Sequence, residues 1–118
     1  MTNDPMTFTL SVRLFRGADE KCFGPGIAEL LRRVDRTSSL RSAAAEMNLA
    51  YSKAWRIVKE TEAALGFKLL ASQTGGVHGG GAALTQEAHD MLARFDRFLK
   101  QLRLAADAAF SESFGDMP

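Results

Sequence analysis

The spacing of hydrophobic positions changes along the chain, and each spacing predicts a different element. Over residues 8–15 hydrophobic and more polar side chains alternate, which predicts a half-buried strand. Residues 17–24 form a predicted turn region. Gly24-Pro25-Gly26 then starts a helix, because the first helical turn does not use the N–H group that proline lacks. The apolar stripe of this helix consists of Ile27, Leu30, Leu31 and Val34.

Residues 39–65 contain two short helical patterns joined by Met47-Asn48-Leu49, which is the arrangement of a helix-turn-helix. We expect Ser39 to cap the first helix, over about residues 40–47, and Ser52 to cap the second, which ends at Gly66. Asn48 can adopt the left-handed backbone that the turn requires. The side chains predicted to point outward from the second helix, on a face that suits DNA phosphates and base edges, are Tyr51, Ser52, Lys53, Trp55, Arg56 and Lys59.

Two short strand patterns, at residues 67–72 and 82–85, flank a segment with five glycines among residues 75–81. This pattern predicts a hairpin with a long glycine-rich tip, a wing. Glycine lets backbone N–H groups approach a phosphate or the minor groove closely, so we expect DNA contacts at Gly76, Val77, His78 and Gly79. A loop without any ligand is the alternative. A nucleotide phosphate loop is disfavoured, because no Gly-Lys-Ser/Thr sequence follows.

The last helix is predicted to begin after a Thr85 cap and to carry apolar residues at alternating spacings of three and four. Such a heptad seam favours pairing with a second chain, although packing of the helix within one chain is the alternative. The tail from Phe110 is expected to fray. The predicted dimerisation residues are Met91, Phe95, Phe98, Leu102, Ala105 and Ala109.

The charges are unevenly distributed, although the net charge is only +1. Residues 30–59 contain seven basic and two acidic residues, whereas residues 86–118 contain four basic and six acidic ones. The positive field is therefore expected over the helix-turn-helix.

The fold class is predicted to be mainly α with a small β component. It is a winged helix-turn-helix with an N-terminal strand (residues 1–85, DNA-binding domain) and a long C-terminal dimerisation helix with a tail (residues 86–118).

Several function classes find no support in the sequence. The single cysteine, Cys22, excludes an intramolecular disulfide, and no apolar run reaches the roughly 18 to 20 residues that span a bilayer. The start of the chain lacks the pattern of a signal peptide, so we expect a cytoplasmic protein without a membrane partner. His78 and His89 alone do not form a metal ligand set. We expect no metal, no cofactor and no enzymatic activity, since no catalytic constellation can be assembled.

Several stretches together resemble the N-terminal DNA-binding domain of the molybdate-dependent transcriptional regulators (ModE). The resemblance covers roughly residues 8–104, and its specific part is the joint occurrence of Tyr51-Ser52-Lys53-Ala54-Trp55 with the glycine-rich wing. The same stretch is also similar to the winged helix of LysR-type regulators, which continue into a long effector domain. The matching stretches are Phe23-Gly24-Pro25-Gly26, Thr37-Ser38-Ser39-Leu40 with Ala43-Ala44, residues 47–55, and residues 74–81 with Leu84-Thr85.

The resemblance implies a transcription regulator that binds double-stranded DNA as a homodimer at a palindromic operator. Two-domain members of the family bind molybdate in C-terminal β-barrel domains. This sequence ends soon after its last helix, so we expect that the chain alone does not bind molybdate. Ala50 stands where members commonly have serine, and Ala71-Ser72-Gln73 stands where they have a charged pair. Both departures predict weaker DNA binding.

The candidate DNA contacts combine the helix-turn-helix with the wing. Four basic residues are expected to contact phosphates or guanine edges: Arg41, Lys53, Arg56 and Lys59. Tyr51 and Ser52 are expected to supply neutral hydrogen bonds at the N-terminus of the second helix. Trp55 is expected either to stack on the DNA backbone or to pack beneath the wing. The arginines at positions 32, 33 and 36 are expected to form a solvated face of the first helix, with DNA contact as the alternative. The alternative functions are a LysR-like winged-helix fragment and a protein-interaction module that heterodimerises with a full-length regulator.

Overall fold

The computed structural model describes residues 4–73 and 81–118 of the chain. These residues form the predicted winged helix-turn-helix, mainly helical with two small antiparallel strand pairs and a long last helix. The elements are β1 (Leu14–Arg16), β2 (Glu20–Phe23), α1 (Pro25–Thr37), α2 (Leu40–Glu46), α3 (Tyr51–Leu65), β3 (Leu70–Gln73), β4 (Gly81–Leu84) and α4 (Gln86–Phe114).

The N-terminal strand is much shorter than predicted. Only Leu14–Arg16 pairs, and its partner β2 lies inside the predicted turn region, with Gly17 at φ +62° between the two strands. A strand needs a neighbour for its backbone hydrogen bonds, and the rest of residues 8–15 has no paired strand in the described part of the chain. The alternation instead reflects partial burial, because Phe8 contacts α4 and Val12 packs against the core.

The core lies between α1, α2, α3, the strand ends and the first half of α4. The apolar stripe of α1 is buried as predicted, and Phe23 at the end of β2 is fully buried. The Phe23 ring meets the ring of Phe95 from α4 edge to face, with 5.1 Å between the centroids. This contact joins α4 to the body of the domain. The largest fully buried side chains are Phe23, Leu30, Leu31, Val34, Val58 and Leu69.

The helix-turn-helix follows the predicted local signals at three of four points. The Ser39 side chain caps α2 by accepting a hydrogen bond from the Ser42 N–H at 3.0 Å, Asn48 is left-handed (φ +56°), and Gly66 ends α3 at φ +88°. The predicted capping by Ser52 is wrong. Tyr51 is the first residue of α3 and Ala50 is its N-cap, with no side-chain hydrogen bond, so Ser52 lies within the first turn.

The wing strands are anchored at their base to the helices on either side. Leu70 pairs with Leu84 and Gln73 with Gly81. The first strand is therefore shorter than the predicted segment 67–72, whereas the second has the predicted length and begins one residue earlier than expected. The Ala82 N–H donates to the Ser38 carbonyl at 3.0 Å, between α1 and α2. Thr85 caps α4 as predicted: its hydroxyl oxygen accepts from the Ala88 N–H at 3.0 Å, and its O–H donates to the Lys68 carbonyl at 2.7 Å.

The C-terminal tail does not fray where the sequence predicts it. Helix α4 continues to Phe114, and the Phe110 ring lies 5.0 Å from the ring of Phe8 and 5.4 Å from that of Phe114. The N-terminal residues supply this contact from far along the sequence, together with the Arg103 guanidinium 4.5 Å from the Phe8 ring. The tail therefore gains partners that a local pattern cannot reveal.

Candidate nucleic-acid interface

The second helix of the helix-turn-helix, α3, presents the outward face that its spacing predicts. Ala54 and Val58 face the core with 0% and 1% exposure. The five outward residues in the first two turns are exposed, and the Lys59 side chain is 41% exposed. These five are Tyr51, Ser52, Lys53, Trp55 and Arg56.

The C-terminal end of α3 is held by an arginine from the N-terminal hairpin. The guanidinium of Arg16 donates to the carbonyl of Ala64 at 2.7 Å and to that of Leu65 at 3.3 Å. A cation at this end of a helix satisfies free carbonyl groups and complements the helix dipole. Arg16 is not among the predicted site residues, because residues about fifty positions apart carry no local signal of this contact.

A second missed residue, Glu62, connects α3 to the wing. Its carboxylate is buried and accepts hydrogen bonds from the N–H groups of Leu69 at 2.8 Å and Leu70 at 3.3 Å, at the start of β3. Burial alone would raise the pKa of Glu62, but these hydrogen bonds, together with the Lys59 ammonium, hold it below its ordinary value. The carboxylate therefore fixes the wing base relative to α3.

Lys59 is held close to the protein surface by two contacts. Its Nζ lies 3.3 Å from the Glu62 carboxylate and 5.5 Å from the centre of the Trp55 ring. The buried partner neutralises much of this charge. Lys59 therefore differs from Lys53 and Arg56, which make no ion pair with another described residue.

A further cation that is unpaired among the described residues lies where α2 and α3 meet. Arg41 lies on the face of the Tyr51 ring, 4.2 Å from its centre, and makes no ion pair within residues 4–73 and 81–118. The α1 arginines are paired instead: Arg32 with Asp96, Arg33 with Glu29 at 2.9 Å, and Arg36 with Glu46. They form the solvated face that the sequence predicts.

Trp55 lies beside a cleft of about 180 Å³ between α3 and the wing strands. The side chain is 50% exposed, so the interpretation that it packs beneath the wing holds only in part. Leu40, Val58 and Leu70 line the same cleft. The predicted contacts at the wing tip, Gly76, Val77, His78 and Gly79, lie outside the described residues.

The predicted dimerisation seam on α4 is divided between two environments. Phe95 is 2% exposed and packs on Phe23, and the half-buried Met91 packs against the core, so both residues contact the body of the domain. The more distal part of the seam extends away from this core. There Phe98 is 45% exposed, Leu102 is half-buried, and Ala105 and Ala109 are exposed.

Metal sites and membrane spans are absent from the part of the chain that the structure describes. There, no group of three or more His, Cys, Asp or Glu side chains is arranged to hold a metal ion. None of the helices in residues 4–73 and 81–118 has the length and apolar character to cross a membrane. Cys22 is buried at the end of β2.

Comparison with known protein families agrees with the second of the two resemblances. Residues 28–89, more than half of the chain, match the family model of the bacterial regulatory helix-turn-helix proteins of the lysR family. The matched range runs from α1 into α4 and contains both the helix-turn-helix and the wing strands. No curated protein matched the chain, and the molybdate-dependent family gains no support. The chain therefore belongs to the lysR family of bacterial regulatory helix-turn-helix proteins, and its winged helix-turn-helix is a DNA-binding domain of a transcription regulator.

Proposed function

We propose that the chain binds double-stranded DNA sequence-specifically, with the exposed face of α3 in the major groove. The observation that carries this proposal is the pair of exposed cations on α3, Lys53 and Arg56, which have no acidic partner within the described residues. Arginine and lysine in this position bind phosphates and guanine edges. The proposed contacts are Arg41, Tyr51, Ser52, Lys53, Trp55, Arg56 and Lys59, with Gly76, Val77, His78 and Gly79 at the wing tip.

We propose further that two copies bind a palindromic operator as a homodimer. The support is the apolar seam of α4 beyond the core, where Phe98 is 45% exposed and Leu102 is half-buried. Residues 1–85 would bind DNA and residues 86–118 would hold the dimer, although the first turns of α4 also complete the core. Two symmetric copies place their recognition helices in successive major grooves, so half-sites should be about 34 Å apart or a multiple of it.

A titration with DNA tests the DNA-binding proposal. Random duplexes are selected with the purified chain, and binding of a selected duplex is followed at several salt concentrations. We expect affinity to fall steeply with salt, because cations that bind phosphates release counterions. Binding that does not depend on salt, or no binding at low salt, would contradict a DNA-binding role for α3.

The dimer is tested separately by changing an exposed apolar residue of α4. Phe98→Glu should convert a dimer into a monomer in analytical ultracentrifugation, because a charge at an apolar helix contact is costly to desolvate. Exposed Arg97→Glu on the same helix is the control and should leave the dimer intact. A wild-type chain that is monomeric at every concentration would contradict the dimer.

The finer assignment to the molybdate-dependent type is a second hypothesis, and a heterodimeric interaction module is a third. The molybdate-dependent assignment depends on Tyr51 to Trp55 and on the glycine-rich segment 74–81, which lies mostly outside the described residues. The LysR-like assignment is the better supported. Under all three hypotheses we expect molybdate to leave DNA affinity of the chain alone unchanged. A DNA-binding regulator acts where the DNA is, so we also propose a cytoplasmic location.

A further inference from the structure

The cleft between α3 and the wing strands contains the single tryptophan of the chain in an incompletely buried position. Trp55 is 50% exposed beside a recess of about 180 Å³, whose walls include the apolar side chains of Leu40, Val58 and Leu70. If Trp55 served only to pack its own domain, deeper burial of the indole would stabilise the fold further. Its half-exposed position leaves an apolar surface open on the side of the molecule that carries the proposed DNA face.

Cations lie against the aromatic residues of this cleft. Lys59 Nζ is 5.5 Å from the centre of the Trp55 ring, and the Arg41 guanidinium is 4.2 Å from the centre of the Tyr51 ring. Tyr51 and Trp55 are one helical turn apart on α3 and both line the cleft. The cleft thus places the exposed indole of Trp55 beside positive charge, on a lining that is otherwise largely polar. This arrangement suits a small apolar group that is flanked by polar base atoms and phosphates.

From these contacts, and on the basis of the proposed function, we propose that the cleft receives the 5-methyl group of a thymine and that Trp55 determines specificity for it. The thymine methyl is the apolar group that a base pair presents at its major-groove edge. Cytosine lacks it, so contact with an indole would discriminate between the two pyrimidines. The neighbouring cations would contact the phosphates beside that base without reading sequence.

The test replaces individual thymines by uracil in a duplex selected with the wild-type chain, which removes one methyl group at a time. When uracil replaces the contacted thymine of a half-site, the affinity of the wild-type chain is expected to fall about 4-fold. This ratio corresponds to the free energy of burying one methyl group. The Trp55→Ala variant should bind the unmodified duplex more weakly and show no further loss at that position. Lys53→Ala, changed on another side of the same helix, is the matched control and should keep the 4-fold effect.

The outcomes separate the inference from the proposed function. If the wild-type chain binds the duplex but uracil equals thymine at every position, the methyl contact is wrong, and Trp55 packs or contacts sugars instead. An equal loss at uracil in the Trp55→Ala variant would also overturn the role of Trp55. If no duplex is bound even at low salt, the proposed function itself fails. Since the uracil series uses the wild-type chain, it does not depend on the folding of a variant.

Discussion

Helices α1 and α3 both carry several basic residues, but their cations are in different situations. On α1, Arg32, Arg33 and Arg36 each pair with a carboxylate. On α3, Lys53 and Arg56 are exposed and make no ion pair with another described residue. The net charge of residues 30–59 is therefore larger than the unpaired charge at the surface. Two of the carboxylates that neutralise α1, Glu29 and Asp96, lie outside this segment. The proposed interface is distinguished by cations that have no ion-pair partner in the described part of the chain, and not by the number of basic residues.

The largest expected effect comes from removing an unpaired cation of α3. Arg56→Ala should weaken binding to a selected duplex by about 1–3 kcal/mol if the side chain contacts a guanine. Arg36→Ala removes the same charge from α1 and should change affinity much less, because Arg36 is already paired with Glu46. Fluorescence anisotropy at constant salt measures both. Equal losses in the two variants would break the distinction between the helices.

The paired cation of α3 provides the next comparison, through its partner Glu62. Glu62→Gln should lower the free energy of unfolding by about 1–3 kcal/mol, since the buried N–H group of Leu69 and the partly buried N–H group of Leu70 lose a charged acceptor. Exposed Glu60→Gln, on the same helix, is the control and should have little effect. Urea unfolding at pH 7 measures the difference. A Glu62→Gln protein as stable as the wild type would contradict the anchoring of the wing.

The same carboxylate predicts how stability depends on pH. The pKa of Glu62 is lowered in the folded chain, so its contribution is fully present above the ordinary glutamate pKa of about 4.3 and is lost as pH falls through the lower folded value. Unfolding free energies measured between neutral and acidic pH should converge for the wild type and Glu62→Gln at low pH. A difference that stays constant with pH would show that ionisation of Glu62 is not the cause.

A smaller effect is expected at Lys59 itself. Lys59→Ala should reduce affinity by less than about 1 kcal/mol and equally for all duplex sequences, because its charge is shared with Glu62 and is suited to phosphate contact. Binding of the selected duplex and of a scrambled one at the same salt measures this. A loss confined to the selected duplex would assign base recognition to Lys59 and place it with Arg56.

The smallest expected effect comes from releasing a cation of α1. Glu46→Gln removes the partner of Arg36 and one partner of Arg33, so binding of scrambled duplex should strengthen by a few tenths of a kcal/mol. The effect is limited because α1 still carries Glu29 beside Arg33. A gain as large as the loss in Arg56→Ala would show that α1 also reaches the DNA.

The parts of this site that follow from the sequence depend on neighbouring residues. Asn48 in the turn, Ser39 and Thr85 as caps, and Gly66 at the end of α3 act within a few positions, and the structure confirms them. Helical spacing alone likewise predicts which α3 side chains point outward.

The rest depends on contacts between distant segments. Arg16 reaches the end of α3, and Phe8 stabilises the last turns of α4 through Phe110. A regular heptad also cannot show that Phe95 is already packed on Phe23. Contacts of this kind follow from how the elements pack, which the residues next to one another along the chain do not encode.

The central claim, that the face of α3 enters the DNA, is tested most directly by nuclear magnetic resonance of the 12.9 kDa chain during titration with a selected duplex. We predict that the side-chain and amide signals of Ser52, Lys53 and Arg56 shift at low salt, while those of Arg32 and Arg36 remain nearly unchanged. Shifts confined to α1, or an unperturbed α3 in the presence of bound duplex, would contradict the account.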